Sequence, residues 1–197
     1  MGEKNRELRA ASASEEDLRS LAERMRSVHI SRIREMPRIE LYLDQLLTLV
    51  SQELEFMQVP GETLVTGSMV NNYVKQGVIP APRKKRYTRR HVASLLFVCA
   101  LKRVFSISQV SQLAALIWSS ELDLEALYDS SCAALEAALA RRFSPGGEPA
   151  GQESSLVLLD KDAPAETGLA WLLQAAMDAL ADKVAVEQAL LLGEREA

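Results

Sequence analysis

The chain has 197 residues, of which 48% are hydrophobic and 25% charged, as in a soluble globular protein with a buried core. Aromatic residues make up only 5%, while alanine and leucine are abundant, so helices are favoured over strands. The apolar run Val92–Leu101 is too short to cross a membrane, which takes ~20 residues. Met1–Ser12 has no apolar core of a secretory signal. We therefore expect a cytoplasmic protein without a membrane partner.

The residues that carry most catalytic and metal chemistry are scarce. The two cysteines, Cys99 and Cys132, form no close pair and have no neighbours at metal-ligand spacing. Cys99 lies in the apolar run Val92–Leu101, so we expect a free buried thiol there. The two histidines, His29 and His91, are isolated from each other and from acids at useful spacing. Neither a nucleophile elbow nor a glycine-rich phosphate loop is present. We expect no catalytic residue, no metal and no cofactor.

Two amphipathic helices are predicted before residue 60. Ser14, followed by three acids, is typical of a helix start, and Pro37 should end or kink this first helix. The second is predicted from Arg38 to about Met57, where Val59–Gly61 breaks it.

A compact series of short elements follows. Thr66 should cap a short helix that Gly77 ends, and two prolines then force an extended path. Arg83–Tyr87 is predicted to form a small hairpin or wing. Thr88 should cap a helix to about Arg103, and the Ser-x-x-Gln box at Ser106 should open another.

The remainder is predicted to be helical and acidic. One helix should span Leu122–Phe143, a flexible linker should follow it, and Leu156–Leu159 should be strand or coil. A long helix should run from Asp162–Pro164 to about Leu192. Its apolar stripe predicts a homodimer through the C-terminal helix, or packing within one chain on helices 38–57 and 122–143. The stripe consists of Leu169, Leu172, Leu173, Ala176, Met177, Leu180 and Val184.

Charge is distributed unevenly along the chain. From Thr63 to Ser120 there is no acid, and nine cations give this segment a net charge of +9. The whole chain carries −4, so the rest carries −13. A long segment without acids favours binding to a polyanion, because affinity for nucleic acid depends on Lys and Arg contacts to phosphates.

The order of elements in this segment resembles the DNA-binding domain of mercury-resistance-regulator (MerR) type regulators. Asn71-Asn72-Tyr73 occupies the place of the family's Arg-Tyr-Tyr, and Gly77-Val78-Ile79-Pro80 that of its Gly-Leu-Leu-x-Pro. Arg83–Arg86 corresponds to the basic wing, and Tyr87-Thr88 to the Tyr-Ser that begins the next helix. The resemblance implies a winged helix-turn-helix that binds DNA.

A closer resemblance covers about residues 37–117. The motifs are Leu41–Gln45, Met69–Lys75, Lys84–Tyr87, Leu101-Lys102 and Ser106-Ile107. In this order they are similar to a bacterial family known as domain of unknown function 1836. That resemblance implies a regulator with a MerR-like fold.

The predicted fold class is mainly α, with a MerR-like winged helix-turn-helix core and flanking N- and C-terminal helices. We expect three parts: a helical segment 1–36, the winged module 37–120, and an acidic helical region 121–197 with a linker near 144–155. DNA binding is assigned to the exposed helix and the wing. The residues are Ser68, Asn71, Asn72, Tyr73, Lys75, Arg83, Lys84, Lys85, Arg86, Tyr87, Arg89 and Arg90.

Alternatives remain for several of these residues. Asn71 and Asn72 are base readers, or a helix-surface pair, or residues with an internal hydrogen bond to the long preceding turn. Tyr73 and Tyr87 either donate to phosphate or pack between helix and wing. For the whole chain, a DNA-binding transcriptional regulator is the leading hypothesis. The alternatives are a protein-interaction adaptor that retains the winged fold and a structural protein that binds nucleic acid without sequence specificity.

Overall fold

The computed structural model describes residues 14–120, 122–144 and 167–194. In these ranges we observe seven α-helices, one 3₁₀ turn and two isolated antiparallel bridges, Leu41 with Tyr87 and Arg83 with Arg86. The helices are α1 Glu15–Arg26, α2 Leu43–Glu53, α3 Gly67–Lys75, α4 Arg89–Leu101, α5 Ile107–Ser119, α6 Leu124–Arg142 and α7 Thr167–Glu194, with the 3₁₀ turn at Glu55–Met57. The prediction of a mainly helical chain is confirmed. The expected linker beyond Ser144, the segment Leu156–Leu159 and the start of the last helix at Asp162–Pro164 lie outside the described residues.

Four helices begin where the sequence predicts, directly after Ser14, Thr66, Thr88 and Ser106, because capping residues act locally. The hydroxyls of Ser14, Thr66 and Ser106 each accept a hydrogen bond from the backbone N–H three residues later. Gly77 ends the third helix with φ of +69°, a conformation that glycine adopts without strain.

The first helix is shorter than predicted. It ends at Arg26, and residues 27–42 form an irregular segment that still buries Ile30, Ile33 and Met36. The prediction that it continues towards Pro37 is wrong. In a continued helix the backbone N–H groups of this segment would donate to carbonyls of the same helix. Here several of them donate instead to carboxylates of distant helices, so they still have partners without a helix.

Carboxylates from α2 and α6 hold this segment in place. The bonds run from Ile30 N to Glu136 Oε1 (2.8 Å), from Ser31 N to Glu53 Oε2 (2.8 Å) and from Ile33 N to Asp129 Oδ1 (3.0 Å). Arg32 also forms two hydrogen bonds to the Glu136 carboxylate, at 2.8 and 2.5 Å. These bonds raise the pKa of Arg32 above its usual value. The Glu136 carboxylate therefore binds both a backbone amide and a guanidinium.

The second helix begins five residues later than predicted, at Leu43. Leu41 is extended, because its backbone N–H and C=O both pair with Tyr87, at 2.8 and 2.9 Å. The Gln45 side chain then accepts the Tyr42 N–H at 2.9 Å and so satisfies one of the free amides at the start of α2.

The apolar stripe of the C-terminal helix is buried within the chain. Leu173, Leu180 and Val184 have no exposed surface. The helix packs mostly on α6, with further contacts to α1 and α4. Packing within one chain is thus observed against α6, whereas the expected packing on the helix 38–57 is not among the main contacts of α7. Homodimerisation through this helix stays a prediction, and the stripe that motivated it is already covered.

Buried residues from all three expected parts belong to one connected core. It extends from Leu21 in α1 through α2 to α6 and reaches Val184 in α7. Cys99 and Cys132 both lie in this core as free thiols, which confirms the prediction for Cys99. Burial raises the pKa of each thiol to about 12, so neither is a ready nucleophile. Among the described helices, no segment is both long and apolar enough to cross a membrane.

We predict that Glu136→Gln lowers the free energy of unfolding by about 1–3 kcal/mol, the range for losing hydrogen bonds to a charged group. Asp182→Asn is the matched control, because Asp182 pairs with Arg142 on a half-exposed surface and should contribute under about 1 kcal/mol. Urea unfolding followed by circular dichroism measures both variants. Equal losses in the two variants would show that the bonds of Glu136 to Ile30 and Arg32 contribute no more to the free energy of unfolding than an exposed ion pair.

Candidate nucleic-acid interface

The third helix presents a polar face to solvent. Val70 and Tyr73 are buried, and the side chains on the other face are exposed: Ser68, Asn71, Asn72 and Lys75. These four project outward, as the sequence predicts. Asn72 Oδ1 accepts a hydrogen bond from Gln76 one turn later at 3.3 Å. The Asn71 side chain forms no hydrogen bond to any described residue, so its amide is available to a ligand.

A minimal hairpin follows this helix. The backbone N–H of Arg86 donates to the carbonyl of Arg83 at 2.9 Å, and the two residues between them both have positive φ. Lys84 has φ of +49° and Lys85 of +59°. Positive φ at both central residues is the pattern of a type I′ turn, which Asn-Gly fills most easily. Two lysines at these positions raise the energy of the turn.

The base of the hairpin is held by His91. Its Nδ1 accepts the N–H of Thr88 at 3.0 Å, and its Nε2 lies 3.4 Å from the carbonyl of Ala81, on the other arm of the hairpin. Because Nδ1 accepts a hydrogen bond, the proton of the neutral ring is on Nε2, and Nε2 donates to the carbonyl of Ala81. The edge of the His91 ring also contacts Tyr87, with centroids 5.6 Å apart. The histidine that the sequence analysis left without a role is therefore the residue that joins the hairpin to α4.

The arginines around the hairpin have different environments. Arg86 lies over the ring of Tyr42, with its guanidinium carbon 3.7 Å from the centroid. Arg89 donates to the carbonyl of Ile33 at 3.2 Å. Arg83 and Arg90 are exposed, as are the two tip lysines. Arg89 thus has a structural role that explains a cation in the first turn of α4, where the helix dipole disfavours it.

Both tyrosines of the predicted site are buried. Tyr73 is 1% exposed and Tyr87 is 4% exposed. Burial raises the pKa of Tyr73 to about 12, and its hydroxyl bonds nothing in the described part of the chain. The structure therefore favours packing over phosphate contact for both residues.

Acids from other parts of the chain contact the segment 63–120, which has none of its own. Arg103 forms ion pairs with Glu62 at 2.7 Å and with Glu187 of α7 at 2.5 Å. Burial raises the pKa of Glu187, but hydrogen bonds from Lys183 and Arg103 outweigh it and hold that pKa below its usual value. Arg103 therefore belongs to the scaffold. The exposed cations of the helix-and-hairpin surface are Lys75, Arg83, Lys84, Lys85 and Arg90.

The sequence profile of the family described as "Domain of unknown function (DUF1836)" matches residues 31–131, which is more than half of the chain. The chain belongs to this family. The match covers the irregular segment from residue 31 onward, α2 to α5, the hairpin and the first turns of α6. Neither the curated proteins nor the solved structures contain a match.

Sequence patterns did not locate the side chains that support the surface. His91 acts on Ala81 and Thr88 through the fold of the hairpin, and Arg89 acts on a carbonyl 56 positions earlier. A useful sequence signal was available for His91, because it stands at the third position after the cap residue Thr88, where a side chain can accept the cap N–H. The described residues contain no group of three or more metal-ligating side chains.

We predict that Lys84→Asn combined with Lys85→Gly raises the free energy of unfolding by about 1 kcal/mol, because the replacements fit positive φ. Lys84→Gln combined with Lys85→Gln removes the same two charges and keeps the strain. Thermal unfolding of both double variants separates the two effects. A similar gain from the glutamine variant would assign the stabilisation to charge and not to backbone conformation.

Proposed function

We propose that this protein binds double-stranded DNA through the exposed face of α3 and the Arg83–Arg86 hairpin, and that it acts as a transcriptional regulator. The proposal includes a winged helix-turn-helix arrangement of the MerR type, in which α3 is the recognition helix and the hairpin is the wing. It rests on the surface formed by these elements and on the resemblance of their motifs.

The observation that carries the proposal is the pair of lysines at the hairpin tip. A turn that served only to reverse the chain would be more stable with Asn-Gly. Strained residues that persist in a fold commonly do so for function. Two lysines and the exposed Arg83 place three positive charges at one projecting turn, which suits contact with a phosphate backbone.

The two elements would do different tasks. The hairpin cations would bind phosphates, which positions the protein without reading sequence. On α3, the free amide of Asn71 has the donor and acceptor pair that reads adenine in the major groove, and Lys75 suits guanine or phosphate. Arg86 and Arg89 would shape the surface, since their guanidinium groups already contact Tyr42 and the carbonyl of Ile33.

We predict a steep dependence of DNA affinity on salt. If four or five of the exposed cations contact phosphates, log affinity should fall against log salt with a slope of about −4. The Lys84→Gln, Lys85→Gln double variant should flatten the slope by about two and weaken all sequences alike. Fluorescence anisotropy with a labelled duplex at several salt concentrations measures both quantities.

The matched control for the hairpin variant is Arg19→Gln combined with Arg24→Gln, which removes two exposed charges from α1. This control should keep the slope of the wild type. Equal effects of the two double variants would show that DNA binding depends on the overall charge of the protein and not on the position of the hairpin lysines. An absence of DNA binding at low salt would reject the proposal and favour the protein-interaction adaptor.

We further predict that Asn71→Ala reduces discrimination between the preferred and unrelated sequences by about 1–3 kcal/mol, with little change in the salt slope. The preferred sequence is first selected from a random duplex library with the wild-type protein. Gln112→Ala on the exposed side of α5 is the control. If Asn71→Ala keeps full discrimination, then α3 does not read bases through this residue.

A further inference from the structure

A cavity of about 480 Å³ lies between α4, α5 and the start of α6. Its walls are mostly apolar, with Phe97 and Val98 of α4 facing Ile117 and Trp118 of α5, and Leu127 of α6 opposite. Its volume lies within the range of small-molecule pockets, about 300–1,000 Å³. No assigned residue of the DNA-binding surface lies in it except Arg90.

One wall of the cavity changes from polar to apolar along a single helix face. Arg90, Ser94 and then Phe97-Val98 follow each other at spacings of three and four residues on α4, so they line one side in that order. Arg90 is exposed and Ser94 half-buried, and neither side chain bonds a described residue. The groups left free on this wall can therefore both donate hydrogen bonds: the Arg90 guanidinium only donates, and the Ser94 hydroxyl can also accept.

Two described acids line the opposite side, Asp123 and Glu125, and each has an intramolecular contact. Asp123 accepts the N–H of Glu125 at 2.9 Å and so caps α6. Glu125 pairs with Arg34 at 3.3 Å. A ligand with an acceptor group fits this arrangement, and a negative charge on that group would pair with the guanidinium of Arg90.

We propose that this cavity binds a small apolar molecule that carries a carboxylate, with the carboxylate at Arg90 and Ser94 and the apolar part between α4 and α5. Arg90 is one of the exposed cations of the helix-and-hairpin surface that is proposed to bind DNA, so the ligand and DNA compete for its guanidinium. The binding itself stands on the cavity alone, whereas the competition rests on the proposed function. By linkage, each ligand then weakens the affinity of the other by the same factor.

Tryptophan fluorescence offers a direct test. The chain has two tryptophans: Trp118 lines the cavity, and Trp171 on α7 is 70% exposed and not among its lining residues. In the Trp171→Phe protein, Trp118 is the only reporter. Decanoate below its micelle concentration serves as the probe, and decanol, which has the same chain without the charge, is the matched comparison. We expect saturable quenching or a spectral shift, with decanoate binding about tenfold more tightly than decanol.

Two variants locate the binding. Arg90→Gln should reduce decanoate affinity about tenfold and leave decanol affinity unchanged. Ala114→Phe, which places a larger side chain at a lining position, should abolish the signal for both probes, and its fold is checked by circular dichroism. Equal affinities for the two probes, or decanoate binding insensitive to Arg90→Gln, would overturn the assignment of a carboxylate. No saturable change with either probe would overturn the cavity as a site.

The competition is measured separately. Saturating duplex should lower decanoate affinity in the Trp171→Phe protein and have no such effect in Arg90→Gln. If DNA binds and decanoate affinity does not change, the competition is rejected. If decanoate binds and DNA does not, the proposed function fails and the cavity stands as a ligand site of its own.

Discussion

The fold depends on carboxylates that accept backbone N–H groups of the irregular segment 27–42. Glu53 of α2 and Asp129 and Glu136 of α6 each bond one amide between residues 30 and 33. Ile30 and Ile33 are buried, so without these acceptors their N–H groups would be removed from water and left without hydrogen bonds. Burying an unpaired N–H group lowers the stability of the fold. The segment in turn fixes Leu41, which pairs with Tyr87 at the base of the hairpin. Arg89 at the start of α4 donates to the carbonyl of Ile33, so polar contacts connect α6 with the helix that follows the hairpin.

The sequence predicted what depends on neighbours in the chain. Local patterns predict the caps at Ser14, Thr66 and Ser106, the glycine at position 77 and the burial of Cys99, and the structure confirms them. The path of residues 27–42 was not predictable in this way, because its amides bond to carboxylates 22 to 106 positions away. Val28 and Ile33 continue the helical spacing of apolar residues from α1, so the sequence pattern fits a helix as well as the irregular path observed.

The same limit applies to the surface and to the last helix. The sequence grouped six cations of the hairpin and of the start of α4, and the structure divides them into exposed charges and two arginines with intramolecular contacts. Only the three-dimensional position of Ile33 shows that Arg89 has a protein partner. The apolar stripe of α7 has to pack against another apolar surface. The periodicity of the sequence predicts the stripe, but it does not predict whether the partner surface belongs to the same chain or to a second copy. Contacts with α6 answer this for the residues described.

The anchoring of Ile30 and Arg32 also bears on where this protein can be cut. The family match ends at residue 131, whereas α6 continues to Arg142 and carries Glu136 and the fully buried Leu139 beyond that point. A fragment made to the limits of the match would begin after Ile30, and it would lose more than half of α6, the Glu136 carboxylate that binds Arg32, and the apolar cover that α7 provides. The recurring sequence unit and the cooperative folding unit have different ends, so a recombinant fragment intended to isolate the basic surface needs α6 and α7 with it.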